Sequence, residues 1–256
     1  MKSSLKNFLY TTLGVILILV GWIVISSCIS NNSMIFPDFI VTGKETIRLL
    51  GRGYTYKCIW ASFLRTIIGF AASFVLALIL GIVAGNVPAI KRGFSPFFSV
   101  LKSIPTASLV FLFLVLVGAK NAPILMVMLI CLPILYEAIV RGFENIDTSI
   151  KDACDVDGVP FARKLFNVYL PVITPYIFVG IVSSFSLSFK IEIMAEVISG
   201  STSEGLGSII SACQKSDPTN MVPIFAYSLI AILIVAIFSL ILFFIEKKII
   251  KKQGIQ

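Results

Sequence analysis

Runs of about 20 predominantly apolar residues, each long enough to cross about 30 Å of hydrocarbon, occupy most of this 256-residue chain. Six spans can be laid out, at about Leu9 to Ile29, Ile59 to Gly85, Phe97 to Val117, Ala122 to Val140, Val172 to Phe189 and Val222 to Ile245. In lipid only helices and closed barrels satisfy their own backbone. The runs show no two-residue alternation, so the chain reads as an all-α membrane protein with six transmembrane helices. Only 13% of residues are charged, against about 25% in soluble domains, and nothing of useful size is left for a soluble domain. Residues 1–256 are therefore expected to form a single transmembrane domain.

A net charge of +8 would suggest nucleic acid in a soluble protein, but here the cations collect beside the apolar runs. With the N-terminus inside, thirteen of the 21 Lys and Arg residues fall in cytoplasmic segments. Seven fall outside, among them Lys44, Arg48, Arg52, Lys57, Lys190 and Lys215, and Arg65 lies within a span. The positive-inside rule then places both termini in the cytoplasm of a multi-pass cell-membrane protein with no nucleic-acid partner. Ile25-Ser26-Ser27-Cys28 faintly resembles a lipoprotein cleavage box, yet the apolar run before it is longer than a usual signal core.

The chain has no His, which removes the commonest general base and the commonest metal ligand. No GxxxxGK[ST] phosphate loop is present. The expectation is a protein that does no covalent chemistry and holds no cofactor or metal, with any ATP bound by another chain. The five Cys (Cys28, Cys58, Cys131, Cys154, Cys213) form no CxxC pair and read as small buried apolar residues.

One internal stretch breaks the apolar pattern: TSIKDACDVDGVPFARKLFNVYLP, Thr148 to Pro171, with six charges between Lys151 and Lys164. At about 2.5 to 3.5 kcal/mol per charge at mid-membrane, burying them in lipid would cost on the order of 15 to 20 kcal/mol, so the stretch lies in water. Ser149 and Asp152 have the spacing of a capping box, which predicts a short helix starting there. Gly158 suits the left-handed residue that closes it, and Pro160 the first turn of a second helix running through Phe161 to Tyr169 into Leu170-Pro171. Ile150, Ala153 and Cys154 would share one face, suited to a groove on another protein; an ordinary interfacial loop is the plain alternative.

Elsewhere Gly69, Ser73, Ala77, Gly81 and Gly85 recur every four residues in the second span, a packing face for a helix of this chain or of a second copy. Arg65, Glu137, Lys190, Glu192 and Glu196 lie in or at the edge of apolar runs, where charge faces a cavity or a partner, or snorkels to an interface. Glu137 is placed to pair with Arg65. Ser184 and Ser188, with Ser183 and Ser186, either line a polar pathway or bond a preceding carbonyl. Pro105 should kink or break the third span.

The stretch Thr148 to Pro171 resembles the EAA loop of binding-protein-dependent ABC importer permeases, E-A-A-x3-G-x9-I-x-L-P. It presents Asp152, Ala153, Cys154, Gly158, Val168, Leu170 and Pro171 at the same spacing, with Asp, Cys and Val for Glu, the second Ala and Ile. SIPTASLVFLFLVLVG (Ser103 to Gly118) and MAEVISGSTSEGLGSII (Met194 to Ile210) resemble the nitrate, sulfonate and taurine group of those permeases. The likeness runs over about residues 62–250. It implies a type I ABC importer permease bundle with a cytoplasmic coupling helix at about 148–171, in a bacterial inner membrane. It also implies a second permease subunit as a homodimer, a cytoplasmic ATPase dimer that binds the ATP, and an extracytoplasmic solute-binding protein. The implied cargo is a small anion or a related nutrient such as a thiamine precursor. The Gly-Ser-rich stretch Ser199 to Gly207 would be an external loop or re-entrant turn near the gate. The rival is a stand-alone channel or secondary carrier in which the charged loop is only a connector.

Overall fold

The computed structural model describes residues 13–14, 16–17, 20–28, 36–200 and 204–252, with the backbone alone for 246–252. Among these every regular element is helical. Residues 20–28 form α1, followed by α2 (Phe39–Leu50), α3 (Gly53–Asn86), α4 (Pro88–Ser103), α5 (Thr106–Val117) and α6 (Ala122–Glu144). Then come α7 (Thr148–Val156), α8 (Phe161–Lys164), a π-helical turn at Leu165–Tyr169, α9 (Leu170–Ser199), α10 (Leu206–Ser216) and α11 (Val222–Lys252). The first expected span, Leu9 to Ile29, lies mostly outside the described residues.

Four helices among the described residues are long and apolar enough to cross a membrane: Gly53–Asn86, Ala122–Glu144, Phe161–Ser199 and Val222–Ile245. The expected third span is instead α4 and α5, which meet at 96°. The break has a local cause at Pro105. Its ring forces Ile104 into an extended conformation (ψ 128°) and it supplies no N–H to continue α4. The fifth span is longer at both ends than Val172 to Phe189. It runs without interruption over 39 residues, about 58 Å of helix, and carries Lys190, Glu192 and Glu196 on its last turns. Its π turn sits immediately before Pro171, where the Leu170 N–H reaches back to the Leu165 carbonyl. The wider turn makes room for a ring that would otherwise press on the Asn167 carbonyl.

The core is built on α6, which is flanked by α3 and α9. Met126, Val127, Cys131, Leu135, Ile139 and Phe143 of α6 are all buried. The small-residue row of α3 faces this helix: a Cβ added at Gly69 would lie 2.6 Å from the Ile124 carbonyl, at Gly81 2.7 Å from Ile139, and at Gly85 2.5 Å from Phe143. In this chain the row is an intramolecular contact, drawn close by dispersion between backbones that no side chain separates. Of the five cysteines, Cys58 and Cys131 are buried and Cys154 and Cys213 partly so, whereas Cys28 is exposed, contrary to expectation; all are free thiols.

Two short helices were missed by the hydropathy pattern. α2 is amphipathic and packs on α11; its first turn is capped by Asp38, whose Oδ1 accepts from the Ile40 and Val41 N–H groups at 2.7 and 3.1 Å. α10 begins inside what reads as a Gly-Ser loop and packs on α9, α11 and α3.

Candidate functional site

The charged stretch forms the helix its punctuation predicts, but with a different start. Asp147 is the N-cap: its Oδ1 accepts the Ser149 N–H at 3.0 Å, and hydrogen bonds from Ser149 hold its carboxyl below the usual carboxylate range. The Ser149 to Asp152 box therefore does not form, and Asp152 lies in mid-helix. Asp147 lies two residues before Ser149, and its carboxylate is the stronger acceptor for an orphan N–H. At the other end Gly158 is left-handed (φ +62°). Its N–H reaches the Asp155 carbonyl at 3.1 Å, and the Val159 N–H reaches that of Cys154 at 3.1 Å. This paired closure is a Schellman motif, and it fixes the corner into α8.

No residue of α7 is buried. Its faces differ from the expected grouping: Ile150 packs on the core and Cys154 is half-buried, whereas Asp152 and Ala153 point away. Val156, not singled out in the sequence, is 87% exposed and shares the outer face with Ala153 three residues earlier. Besides the packing of Ile150, two polar contacts hold α7 in place, Lys151 Nζ to the Phe143 carbonyl at 3.0 Å and an Asp155–Lys164 ion pair across the corner. Val168 and Leu170 pack on the core and Pro171 is exposed at the start of α9. The seven motif residues thus divide into an outward helix face, a rigid corner and an anchored root.

A second polar cluster forms at the opposite end of α9. Arg65 pairs with Glu196, not with Glu137. Ser62 Oγ lies 2.9 and 2.8 Å from the two Glu196 oxygens, and Arg65 Nη2 donates to the Glu204 carbonyl at 2.6 Å. The N-cap of α10 is Gly205, which has no side chain to offer. Ser62 Oγ accepts the Leu206 N–H and Glu196 Oε2 the Gly207 N–H, each at 2.8 Å. Side chains from α3 and α9 therefore cap α10 from outside, and the carboxylate also meets the positive end of its dipole. A Cβ at Gly207 would collide with the Ile193 carbonyl, so this approach needs glycine there.

The remaining pathway candidates do not converge. Glu137 pairs with Lys102 of α4, because the α4–α5 bend brings that lysine beside α6. Ser184 and Ser188 are buried and donate to the Gly180 and Phe185 carbonyls of their own helix. Pro105 marks the α4–α5 break. Lys190 is exposed along a groove between α9, α10 and α11 that also holds Ser228 and Ser239. Glu192 is fully buried, and neither of its oxygens has a hydrogen-bond partner among the described residues. No group of three potential metal ligands occurs among the described residues.

Residues 74–252 match the family model described as "Binding-protein-dependent transport system inner membrane component". Among curated proteins, the chain is 24% identical over 222 residues to the nitrate import permease protein NrtB of Synechocystis sp., covering 80% of this chain and 79% of that one. It is 24% identical over 205 residues to the putative aliphatic sulfonates transport permease protein SsuC of Bacillus subtilis, covering 78% and 72%. Among solved structures, it matches a chain of the inward-facing MetNI methionine ABC transporter at TM-score 0.64 and 16% identity, over 76% of this chain and 95% of that one. An amino acid ABC transporter crystallised with histidines matches at TM-score 0.63 and 17% identity, over 82% and 98%.

Proposed function

The chain belongs to the family of binding-protein-dependent transport system inner membrane components, and we propose that it carries small anions, coupled to a cytoplasmic ATPase through α7. The observation that supports this most is the form of α7. It is a short helix with no buried residue, closed by a Schellman corner that leads through α8 into the longest span among the described residues. A connector would not need an exposed apolar Val156 beside Ala153, nor a root packed into the core at Val168 and Leu170.

In this reading two copies form the pathway and each inserts the Asp152–Ala153–Val156 face into a groove on an ATPase subunit. ATP draws the grooves together, the Gly158 corner passes the displacement to α9, and the bundle exchanges inward and outward openings. The energy enters as differential affinity for two conformations, so a soft corner would dissipate it. At the far end of the same helix, the Arg65–Glu196 cluster ties α3, α9 and α10 together and moves the outer turn with α9. A solute-binding protein would deliver the cargo there. The named cargoes of the relatives, nitrate and aliphatic sulfonates, make a small oxyanion the cargo class.

The test is uptake in proteoliposomes containing the chain, its ATPase and its solute-binding protein. ATP-dependent accumulation that requires all three, and that falls at least about tenfold in Gly158→Val while the ATPase still co-purifies, is the expected result. Uptake by the chain alone would establish a self-sufficient carrier instead.

A further inference from the structure

α9, α10 and α11 enclose a groove of about 740 Å³, and Lys190 is the one charged residue on its walls. The packing sets how deep that lysine lies. Ser239 Oγ of α11 donates to Ser186 Oγ of α9 at 3.2 Å, and Phe238 packs against both Phe185 and Phe189. Ile193 and Val197, further along α9, pack on the cluster that includes Ala226 and Ile230, earlier on α11. The two helices are therefore antiparallel, and Lys190 lies level with Val235, near the middle of the span Val222–Ile245. Its side chain is exposed to the groove, and no carboxylate among the described residues pairs with it. A cation at that depth faces water or an anion, not hydrocarbon.

The rest of the wall indicates which anion fits. Ser228 and Ser239 spend their hydroxyl hydrogens on the Ile224 carbonyl, at 2.8 Å, and on Ser186. Lys190 is thus the one lining side chain with hydrogens left to donate. Beside it the same groove is lined by Ile193 and Val197 of α9, Ile210 of α10 and Ile232 and Val235 of α11. An inorganic oxyanion such as nitrate would meet one ammonium and lose hydration against apolar walls on its other sides. A phospholipid phosphate belongs at the membrane boundary, about 15 Å from mid-membrane. An organic anion with one charged head and a short aliphatic tail uses the ammonium and the apolar walls together.

We propose that this groove binds such an anion, an alkyl sulfonate or carboxylate, with its head on Lys190 and its tail along Ile193, Ile232 and Val235. This deepens the importer reading by giving the cargo a tail; its transport rests on that reading, whereas its binding does not. The test is titration of the full chain in phosphatidylcholine nanodiscs with the series from methanesulfonate to pentanesulfonate, read by saturation-transfer NMR with empty nanodiscs subtracted. Affinity should rise about three- to fourfold per methylene, and nitrate and 1-pentanol should each bind at least about tenfold more weakly than pentanesulfonate. Lys190→Gln should weaken the whole series about tenfold or more, and Lys190→Arg should keep it. Ala236→Phe, which narrows the groove, should remove the gain from the tail and leave methanesulfonate unchanged. Flat affinity along the series, or a series undiminished in Lys190→Gln, overturns the proposal. So does loss of binding when phosphatidylglycerol replaces part of the phosphatidylcholine, which would make the groove a lipid site. Absence of ATP-dependent uptake in the reconstituted transporter, with the binding series intact, would count against the importer reading alone.

Discussion

Glu196 shows how much a single carboxylate can organise in this protein. It takes hydrogen bonds from Ser62, Arg65 and the Gly207 backbone while fully buried, so its charge is met from two other helices, α3 and α10. Breaking such a pair from one side leaves an uncompensated charge, at a cost of about 3 to 5 kcal/mol. Arg65→Ala should therefore lower the midpoint of thermal unfolding in detergent sharply, and Arg65→Lys should recover little, since one ammonium cannot reach both Glu196 and the Glu204 carbonyl. Glu192, one turn earlier, is the opposite case: it is buried with no hydrogen bond among the described residues. Its replacement by Leu removes a polar group without a partner and should leave stability unchanged or raise it by about 1 kcal/mol. A large loss of stability in Glu192→Leu would mean that its oxygens are satisfied in the assembled transporter. None of these pairings was legible beforehand. Arg65 and Glu196 were recognisable as costly in a span, but their partnership joins positions 131 residues apart, and Glu137 stood as an equally good partner until the α4–α5 bend gave it Lys102.

At the scale of elements, the long apolar helices were legible because lipid allows so few alternatives, and Gly158 and Pro105 because backbone sterics act locally. The start of α7 was not, since Asp147 and Ser149 both satisfy the cap rule and only the folded geometry chooses between them. α10 was hidden for a different reason: its cap is supplied by α3 and α9, so nothing local announces it. Because Asp147 has a lowered carboxyl pKa, its share of helix stability is present above the unfolded value near 3.8 and is lost as pH falls through the folded value. Protection of the first α7 amides, relative to their intrinsic exchange rates at each pH, should fall below about pH 4. Asp147→Asn should keep the cap and abolish that dependence, because Asn caps without titrating; an unchanged pH profile in Asp147→Asn would assign the effect elsewhere. Asp152→Lys, by contrast, should leave α7 helical and alter only docking. In the α3–α6 contact, Gly81→Leu must displace Ile139 and should destabilise by about 1 to 3 kcal/mol in thermal unfolding.

Over the described molecule, one continuous helix joins the exposed corner to the Arg65–Glu196 cluster. α9, extended through α8, runs about 58 Å from Phe161 to Ser199 and is held at its root by Val168 and Leu170 and at its far end by Arg65 and Ser62. Under the proposed coupling, a displacement applied at Gly158 would travel along this helix to α10, against the closely packed α3–α6 contact. The most direct test is the distance between spin labels at position 156 of two copies, measured by pulsed electron resonance in the reconstituted transporter with native cysteines replaced. ATP should shorten that distance, and Gly158→Val should uncouple the shortening from the change at a second label pair on α10. An α7 to α7 distance that ATP leaves unchanged, in a complex that still transports, would contradict the account.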